Sequence, residues 1–252
     1  MNFPVYLELA GICVHPHPVF EILAYSAGFR YYLFLRKSWP GPALPIESAQ
    51  GLMCGCIVGA LIGSRILAWL EAPQDFWNHQ HEISIWFSGK TIVGGILGGW
   101  AGVEIVKAGL GIRHSTGDVF VFPLMLGMGI GRIGCFLTGL EDHTCGSFTS
   151  LPWGVDFGDG PRHPTQLYDI LFLAMLALYL RIRMRTPYVN GHLFKSFAFW
   201  YLSWRFAVEF IKPRHLYFGL SAIQVACLCG MACTIVLWSR NARSRPVATG
   251  EE

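Results

Sequence analysis

The sequence predicts an all-α polytopic membrane protein with about seven transmembrane helices, the N-terminus outside and the C-terminus inside. The 252-residue chain is 53% hydrophobic and only 14% charged, with a mean hydropathy of +0.42, whereas soluble domains average about 25% charged residues. Apolar stretches of about 20 residues also recur along the chain, and each could cross roughly 30 Å of hydrocarbon as a helix. Residues 1–252 are therefore interpreted as a single integral membrane domain.

Seven apolar stretches are the candidate spans. They cover roughly 19–36, 47–70, 91–110, 118–138, 166–184, 193–212 and 219–238. The loops between them are short except for 71–90 and 139–165, which we expect to be external.

The orientation follows from the distribution of Lys and Arg, which concentrate on the cytoplasmic side. One side of the predicted helices holds Arg36, Lys37, Lys107, Arg113, Arg181, Arg183, Arg185, Lys195, Arg240, Arg243 and Arg245. The other side holds Lys90, Arg162, Lys212 and Arg214. The richer side is predicted to be cytoplasmic, so the N-terminus faces outward, and an odd number of spans places the C-terminus inside.

Glycines recur at intervals of four in the second, third and fourth spans. They are Gly55, Gly59, Gly63, Gly94, Gly98, Gly102, Gly127 and Gly131. This spacing is typical of helices that approach closely in lipid. Doubled glycines such as Gly94–Gly95 could also leave room for a ligand beside the backbone, and both interpretations stay open.

The stretch GMGIGRIGCFLTG, residues 127–139, contains the pattern G-x-G-x-x-G. A dinucleotide-binding loop needs a strand before this pattern, a helix after it, and an acidic residue at the end of a second strand. Here the pattern lies within a predicted span, so a nucleotide site is excluded. The formal charge of +3 and the lack of a basic patch interleaved with aromatics also argue against nucleic acid as a partner.

Three arginines within the spans predict an anion site. Arg65, Arg132 and Arg205 fall in the outer half of their spans, and a charge within a span is a functional-site hypothesis by default. Each arginine could instead hold the bundle together, as Arg205 would by pairing with Glu209 at i,i+4. Few carboxylates are expected at this depth to neutralise three arginines. The guanidinium group suits phosphate, so we expect a phospholipid headgroup site that opens to the outer leaflet.

Metal binding is not expected from the eight cysteines. Most of them lie within apolar segments, where cysteine behaves as a small hydrophobe. His143 with Cys145 could suggest a metal ligand pair, but a solvated loop is favoured. A disulfide among Cys13, Cys135 and Cys145 stays open.

Four motifs resemble the prolipoprotein diacylglyceryl transferase family, in the same order along the chain. Residues 131–139 (GRIGCFLTG) resemble the signature G-R-x-G-N-F-x-N-G, and residues 162–168 (RHPTQLY) resemble R-H-P-S-Q-L-Y almost throughout. Residues 63–66 (GSRI) resemble a G-G-R segment, and residues 205–210 (RFAVEF) resemble R-x-x-x-E-F. The likeness covers nearly the full length and includes the seven-helix topology.

The resemblance implies transfer of a diacylglyceryl group from phosphatidylglycerol to the lipobox cysteine thiol of prolipoproteins. It implies a bacterial inner-membrane enzyme without metal or cofactor. The residues and the resemblance together predict catalytic roles for Arg132, Arg205, Glu209 and His163. They predict substrate binding by Arg132, Arg65, Arg162, Gln166, Tyr168, Gly94, Gly95, Gly134, Gly139 and Glu21. His163 could act as a base or headgroup donor, or could simply cap the fifth helix.

The chain departs from the family pattern at several positions. Val93 stands where the family has the histidine that is often proposed as a base, and Glu21 replaces a tyrosine. Cys135 and Thr138 replace two asparagines. These departures leave an alternative, a non-catalytic phospholipid-binding or transport paralogue that keeps the fold and headgroup site. A small-solute transporter is a third class, but inverted repeats and broken midplane helices are not evident.

Overall fold

A computed structural model of the chain describes residues 3–9, 11–40, 44–87, 89–187, 189–212, 217 and 219–241. Its α-helices in these ranges are α1 (Pro16–Ser38), α2 (Ile46–Glu71), α3 (Pro73–His79), α4 (Ile83–Phe87), α5 (Ile92–Leu110), α6 (Val121–Thr138), α7 (Thr165–Arg183), α8 (His192–Val208) and α9 (Ala222–Asn241). Short 3-10 helices at Asp118–Phe120, Gly139–Asp142 and Glu209–Ile211 flank α6 and end α8. Arg214, Arg243 and Arg245, which contributed to the predicted orientation, lie outside the described residues.

The long helices occupy the predicted spans, with ends that differ by a few residues. Five segments are long and apolar enough to cross a membrane, namely Ile46–Glu71, Ile92–Leu110, Asp118–Asp142, Thr165–Arg183 and Ala222–Ser239. At most 33% of each apolar window is buried inside the protein, so most of these apolar side chains face outward. The helices therefore support the prediction of a polytopic membrane protein. Membrane crossing by α1 and α8, and the side on which each terminus lies, stay predictions.

Two small antiparallel hairpins lie outside the long helices, and the all-α prediction did not include them. Strand β1 (Leu7–Leu9) pairs with β2 (Ile12–Val14), with Glu8 opposite Cys13. Strand β3 (Val155–Asp156) pairs with β4 (Pro161–Arg162) within the loop between α6 and α7. Their strands contain only two or three residues, too few to produce a recognisable alternation of polar and apolar positions in the sequence.

Helices α2 and α5 pack antiparallel through their glycines. A Cβ atom added at Gly59 would lie 2.2 Å from the backbone oxygen of Gly98, and one added at Gly102 would lie 2.1 Å from that of Gly55. Both distances are far below van der Waals contact, so only glycine allows the two backbones to approach this closely. The helix-packing interpretation of these glycines is therefore correct.

Helices α1 and α6 form a second antiparallel pair through small residues. A Cβ added at Gly28 would lie 3.2 Å from the backbone oxygen of Pro123, and one added at Gly127 would lie 3.2 Å from that of Ala24. This contact places the first turn of α1 beside the last turn of α6. The ends that carry the predicted site residues thus become neighbours.

Helix α8 contributes to both hydrophobic clusters in the described part of the chain. Its Phe197 and Tyr201 pack with buried residues of α1, α6 and α7 in one cluster. Its Leu202 packs with Leu67, Val93 and other buried residues of α2, α5 and α9 in the other. Since α8 belongs to both clusters, its residue Arg205 and the following Glu209 are held in the interior.

Candidate active site

A buried ion-pair cluster joins α6, α7 and α8. The Nε atom of Arg132 lies 2.8 Å from Oδ2 of Asp169, and Nη1 of Arg205 lies 3.3 Å from the same oxygen. The other carboxylate oxygen of Asp169 accepts a hydrogen bond of 2.7 Å from the indole nitrogen of Trp204. Asp169 thus binds both arginines, and a buried charge of this kind is stable only when it is paired.

Glu209 and Tyr201 complete the surroundings of Arg205. The Nη2 atom of Arg205 lies 3.2 Å from Oε2 of Glu209, which is the predicted i,i+4 pair. The hydroxyl of Tyr201 and the Nε atom of Arg205 are buried and have no hydrogen-bond partner among the described residues. Tyr201 also lies within electrostatic range of Arg132, Arg205 and Asp169. Polar groups left unsatisfied in this way are the groups that a water or substrate oxygen would complete.

Lys212 adds a third positive charge to the cluster. It follows the 3-10 helix Glu209–Ile211, is 7% exposed, and interacts electrostatically with Asp169. Three positive side chains, those of Arg132, Arg205 and Lys212, therefore lie within electrostatic range of the Asp169 carboxylate.

The expectation that few carboxylates neutralise the arginines is wrong for two of them. Asp169, which directly follows the RHPTQLY segment, pairs with both Arg132 and Arg205. It lies one helical turn inside α7, on the face that meets α6 and α8. Its sequence signal was weak but present, because an acidic residue inside an apolar helix is costly unless it has a partner.

Arg162 is held within the loop between α6 and α7. Its Nε and Nη2 atoms donate hydrogen bonds to the carboxylate of Asp159, the shortest being 2.6 Å, and Nη1 donates to the carbonyl oxygen of Gly146 at 3.1 Å. Its guanidinium carbon also lies 3.9 Å from the centre of the Phe148 ring. The hydrogen bond from Arg162 lowers the pKa of Asp159. These contacts fasten the loop and leave substrate binding by Arg162 as a prediction.

The other residues of the RHPTQLY segment also contact this loop. His163 Nδ1 lies 3.2 Å from the hydroxyl of Tyr168, and that hydroxyl accepts a hydrogen bond of 2.8 Å from Trp153. The side-chain amide of Gln166, which is fully buried, donates to Thr144 Oγ1 at 3.0 Å and to Cys145 Sγ at 3.3 Å. Oε1 of Gln166 has no partner within the described ranges. The segment therefore orients the start of α7, which carries Asp169.

Glu21 on α1 and Arg65 on α2 each contact the residues that precede α5. Glu21 accepts hydrogen bonds from Lys90 at 2.7 Å and from Tyr25 at 3.1 Å. Arg65 donates to the carbonyl oxygen of Gly89 at 2.6 Å. Both residues thereby bind the segment that leads into α5. Their roles in substrate binding stay predictions.

The predicted glycines differ in the space beside them. A Cβ at Gly94 would lie 2.3 Å from the Gly63 oxygen, whereas at Gly95 the nearest atom, in Ala60, is 3.9 Å away. Gly94 therefore serves close packing of α5 against α2, and Gly95 leaves the space that a ligand would need. Gly134 and Gly139 pack against aromatic side chains near the N-terminus. A Cβ at Gly134 would lie 2.6 Å from Phe20 of α1, and one at Gly139 would lie 2.8 Å from Phe3.

Val93 lies in an apolar environment. It is 1% exposed and packs in the cluster with Leu67, Leu202 and Cys227. The position where the family pattern has a histidine is therefore filled here by a core residue. A base that acts on the substrate must come from another position.

All eight cysteines are free thiols in the structure, so the disulfide left open among Cys13, Cys135 and Cys145 is not formed. Burial raises the pKa of the Cys145 thiol, which lies in the loop after α6. Sequence analysis missed a further polar group, in which His17, Cys135 and Asp142 converge. It missed this group because His17 is far from Cys135 and Asp142 in the sequence.

Comparison with known proteins agrees with the motifs. A sequence model of the family described as prolipoprotein diacylglyceryl transferase matches residues 4–240. The phosphatidylglycerol–prolipoprotein diacylglyceryl transferase of Nitratidesulfovibrio vulgaris (strain Hildenborough) is 34% identical over 212 residues, which cover 77% of each chain. The protein of the same name from Bordetella avium is 28% identical over 228 residues, covering 87% of this chain and 85% of the relative. No solved structure matches the chain significantly.

The apolar helices and the buried cluster of arginines and carboxylates define a polytopic membrane protein with charged side chains paired in its interior. The chain belongs to the prolipoprotein diacylglyceryl transferase family, and it is a transferase of lipoprotein biogenesis.

Proposed function

We propose that the chain transfers a diacylglyceryl group from phosphatidylglycerol to the lipobox cysteine thiol of prolipoproteins. The reaction would take place at the outer leaflet of the bacterial inner membrane. The observation that carries this proposal is the buried cluster in which Arg132 and Arg205 both pair with Asp169, because the guanidinium group suits phosphate. The names of the relatives supply the two substrates.

The reaction forms one bond and breaks one bond. The thiolate sulfur attacks the carbon of the diacylglyceryl group that is joined to the phosphate oxygen. The bond between this carbon and that oxygen breaks, and glycerol phosphate leaves with the electron pair of the bond. The thiol proton passes to a base, because the thiolate rather than the thiol is the nucleophile. Negative charge develops on the leaving phosphate, so fixed N–H donors aimed at this oxygen lower the barrier.

Arg132 is the group that we assign to the phosphate. Its Nε atom pairs with Asp169, whereas its terminal nitrogens have no hydrogen-bond partner in the described part of the chain. Asp169 therefore fixes the plane of the guanidinium and leaves the two-pronged end for phosphate oxygens. Arg205 pairs with both Asp169 and Glu209. It therefore helps to position the Asp169 carboxylate and adds a positive charge next to Arg132.

The cluster is closed in this structure. Arg132 is 5% exposed, and Arg205 and Glu209 are each 3% exposed. A headgroup can reach the terminal nitrogens of Arg132 only after neighbouring side chains move. We therefore infer that lipid entry includes a local opening next to α6, which would let the enzyme exclude water once the headgroup is bound.

We assign to His163 the role of the base that accepts the thiol proton, since the side chain of Val93 cannot accept a proton. His163 lies on the external loop and hydrogen-bonds to Tyr168. A His163→Gln variant is expected to lower kcat more than it raises KM, because the group that accepts the thiol proton is lost while the phosphate site is retained. A kcat close to that of the unchanged protein would exclude His163 as the base.

The test is an assay with purified protein, labelled phosphatidylglycerol and a lipobox peptide. Lipidated peptide and glycerol phosphate are expected in equal amounts from the unchanged protein. Arg132→Gln is expected to abolish both products, and Arg30→Gln, which changes an exposed arginine of α1, is the matched control that should retain them. Lipid that co-purifies without any glycerol phosphate release would overturn the proposed activity and favour the non-catalytic alternative.

A further inference from the structure

Three side chains of different types converge between the start of α1 and the end of α6. One nitrogen of His17, the sulfur of Cys135 and a carboxylate oxygen of Asp142 all lie within 4.8 Å of one another. Imidazole, thiolate and carboxylate are the three side-chain ligands that Zn²⁺ takes in proteins. We propose that His17, Cys135 and Asp142 form a binding site for a divalent transition metal ion of the zinc type.

The ligand atoms lie near the separations that a tetrahedral zinc ion requires. With Zn–N and Zn–O bonds of 2.0–2.1 Å, two such ligands at the tetrahedral angle are about 3.3 Å apart, and a thiolate is about 3.6 Å from either. Nδ1 of His17 lies 3.0 Å from Oδ1 of Asp142, so this pair reaches the tetrahedral spacing by moving apart slightly. The sulfur of Cys135 lies within 4.8 Å of both atoms, and we expect it to complete the site by moving to about 3.6 Å from each.

Neighbouring groups hold the ligands in the orientation that a metal requires. The other oxygen of Asp142 accepts a hydrogen bond of 2.6 Å from Thr144 Oγ1, which leaves Oδ1 for the ion. The Nε2 atom of His17 lies 3.9 Å from the carboxylate of Glu21, and Lys90 in turn holds Glu21 at 2.7 Å. A carboxylate beside the second nitrogen of a ligating histidine is the usual partner in metal sites.

The site is reached from the surface and has room for a fourth ligand. His17 and Asp142 line a depression of about 310 Å³, together with His15, Pro18, Thr138 and Glu141. Three protein ligands beside an open position are typical of zinc sites that bind a further molecule, whereas purely structural sites are closed by four ligands. The fourth position would therefore take a water molecule or an external thiolate.

Cys135 distinguishes this site from the family signature. The pattern G-R-x-G-N-F-x-N-G has asparagine where this chain has Cys135, and the thiolate is the strongest zinc ligand of the three. Cys135 also follows Arg132 by three residues and so lies close to it along one side of α6. The proposal does not depend on the transfer reaction, because metal binding is measured without lipid or peptide.

The experiment uses the full-length protein, purified in detergent with an affinity tag that lacks histidine and stripped with a chelator. After equilibration with Zn²⁺ or Co²⁺, bound metal is counted by mass spectrometry, and the Co²⁺ form is examined for a thiolate-to-cobalt absorption band. One equivalent of metal and the band are expected. Zn²⁺ is also expected to raise the apparent melting temperature.

The variants separate the site from the other cysteines and from misfolding. Cys135→Ser is expected to lose the absorption band and bind metal more weakly, whereas Cys13→Ser is the matched control that keeps both. Thr144→Val, which leaves all three ligands in place, is expected to weaken Zn²⁺ binding by about 10-fold to 100-fold. Failure of the unchanged protein to retain one equivalent, or unaltered binding by a folded Cys135→Ser variant, would show that His17 and Asp142 form an ion pair only.

Discussion

Substitution of Asp169 by asparagine tests whether this carboxylate organises the site. The change keeps the size of the side chain and removes its charge. Arg132 and Arg205 would then face a neutral amide. Its oxygen can accept from the guanidinium groups only if its nitrogen, which cannot accept a hydrogen bond, faces the indole N–H of Trp204. Both guanidinium groups lose a charged partner, so Arg132 is expected to lose its orientation and Arg205 to keep the charge of Glu209.

The expected effect is large because the ion pairs are buried. Asp169 is 1% exposed, Arg205 is 3% exposed and Arg132 is 5% exposed. Removal of one partner from a buried ion pair costs about 3–5 kcal/mol, since a charge is left uncompensated in the interior. For a chain of this size each kcal/mol shifts the melting temperature by about 2–4 °C. The Asp169→Asn protein is therefore expected to melt roughly 6–20 °C lower in the same detergent.

Asp159→Asn is the matched control. Asp159 also pairs with an arginine, Arg162, at 2.6 Å, but it lies at the surface of the loop between α6 and α7, where such a pair contributes little. Melting of both variants is followed by intrinsic tryptophan fluorescence, and transfer to a lipobox peptide is measured in parallel. Equal melting shifts for the two variants, or normal transfer by Asp169→Asn, would refute the central role of Asp169.

Three further substitutions or reactions test other parts of the structure. Gly98→Ala is expected to destabilise the protein by about 2–3 kcal/mol in thermal melts, because its Cβ would lie 2.2 Å from the α2 backbone. Gly129→Ala is the control, since a Cβ there has no atom within 4 Å. Equal melting temperatures of the two variants would contradict the glycine contact. Val93→His is expected to cost about 1–3 kcal/mol because an imidazole would be buried in an apolar cluster, and a gain in transfer with unchanged melting would show that the position can still serve catalysis. In maleimide labelling at neutral pH, Cys145 is expected to react more slowly than Cys13. Cys145 is 7% exposed and burial raises its pKa, whereas Cys13 is exposed. Equal labelling rates, measured by mass spectrometry of the labelled peptides, would contradict this expectation.

The helices could be predicted from the sequence because their signals are local. Apolar stretches of about 20 residues separated by charged loops predict α2 or α9 without knowledge of their neighbours. The glycine spacing in α2 and α5 also predicted a close helix contact, since an interval of four places these residues on one helix face. The hairpins were missed because so few residues pair in them.

The candidate site could be predicted only in part. Arg132 and Arg205 were found because a guanidinium in an apolar helix is conspicuous, and Glu209 was found through its i,i+4 spacing. Asp169 and Tyr201 were missed because their importance depends on the packing of α7 and α8 against α6. The group of His17, Cys135 and Asp142 depends in the same way on the antiparallel contact between α1 and α6.

The glycine contact between α2 and α5 has a mechanical consequence. Backbone atoms meet there directly, so no side chain can change rotamer to let a lipid tail pass between the two helices. The pair is therefore expected to move as one rigid body during each catalytic cycle. Lipid must enter along a boundary lined by side chains, and the boundary between α6 and α7, where Arg132 meets Asp169, is the one whose separation would expose the buried cluster.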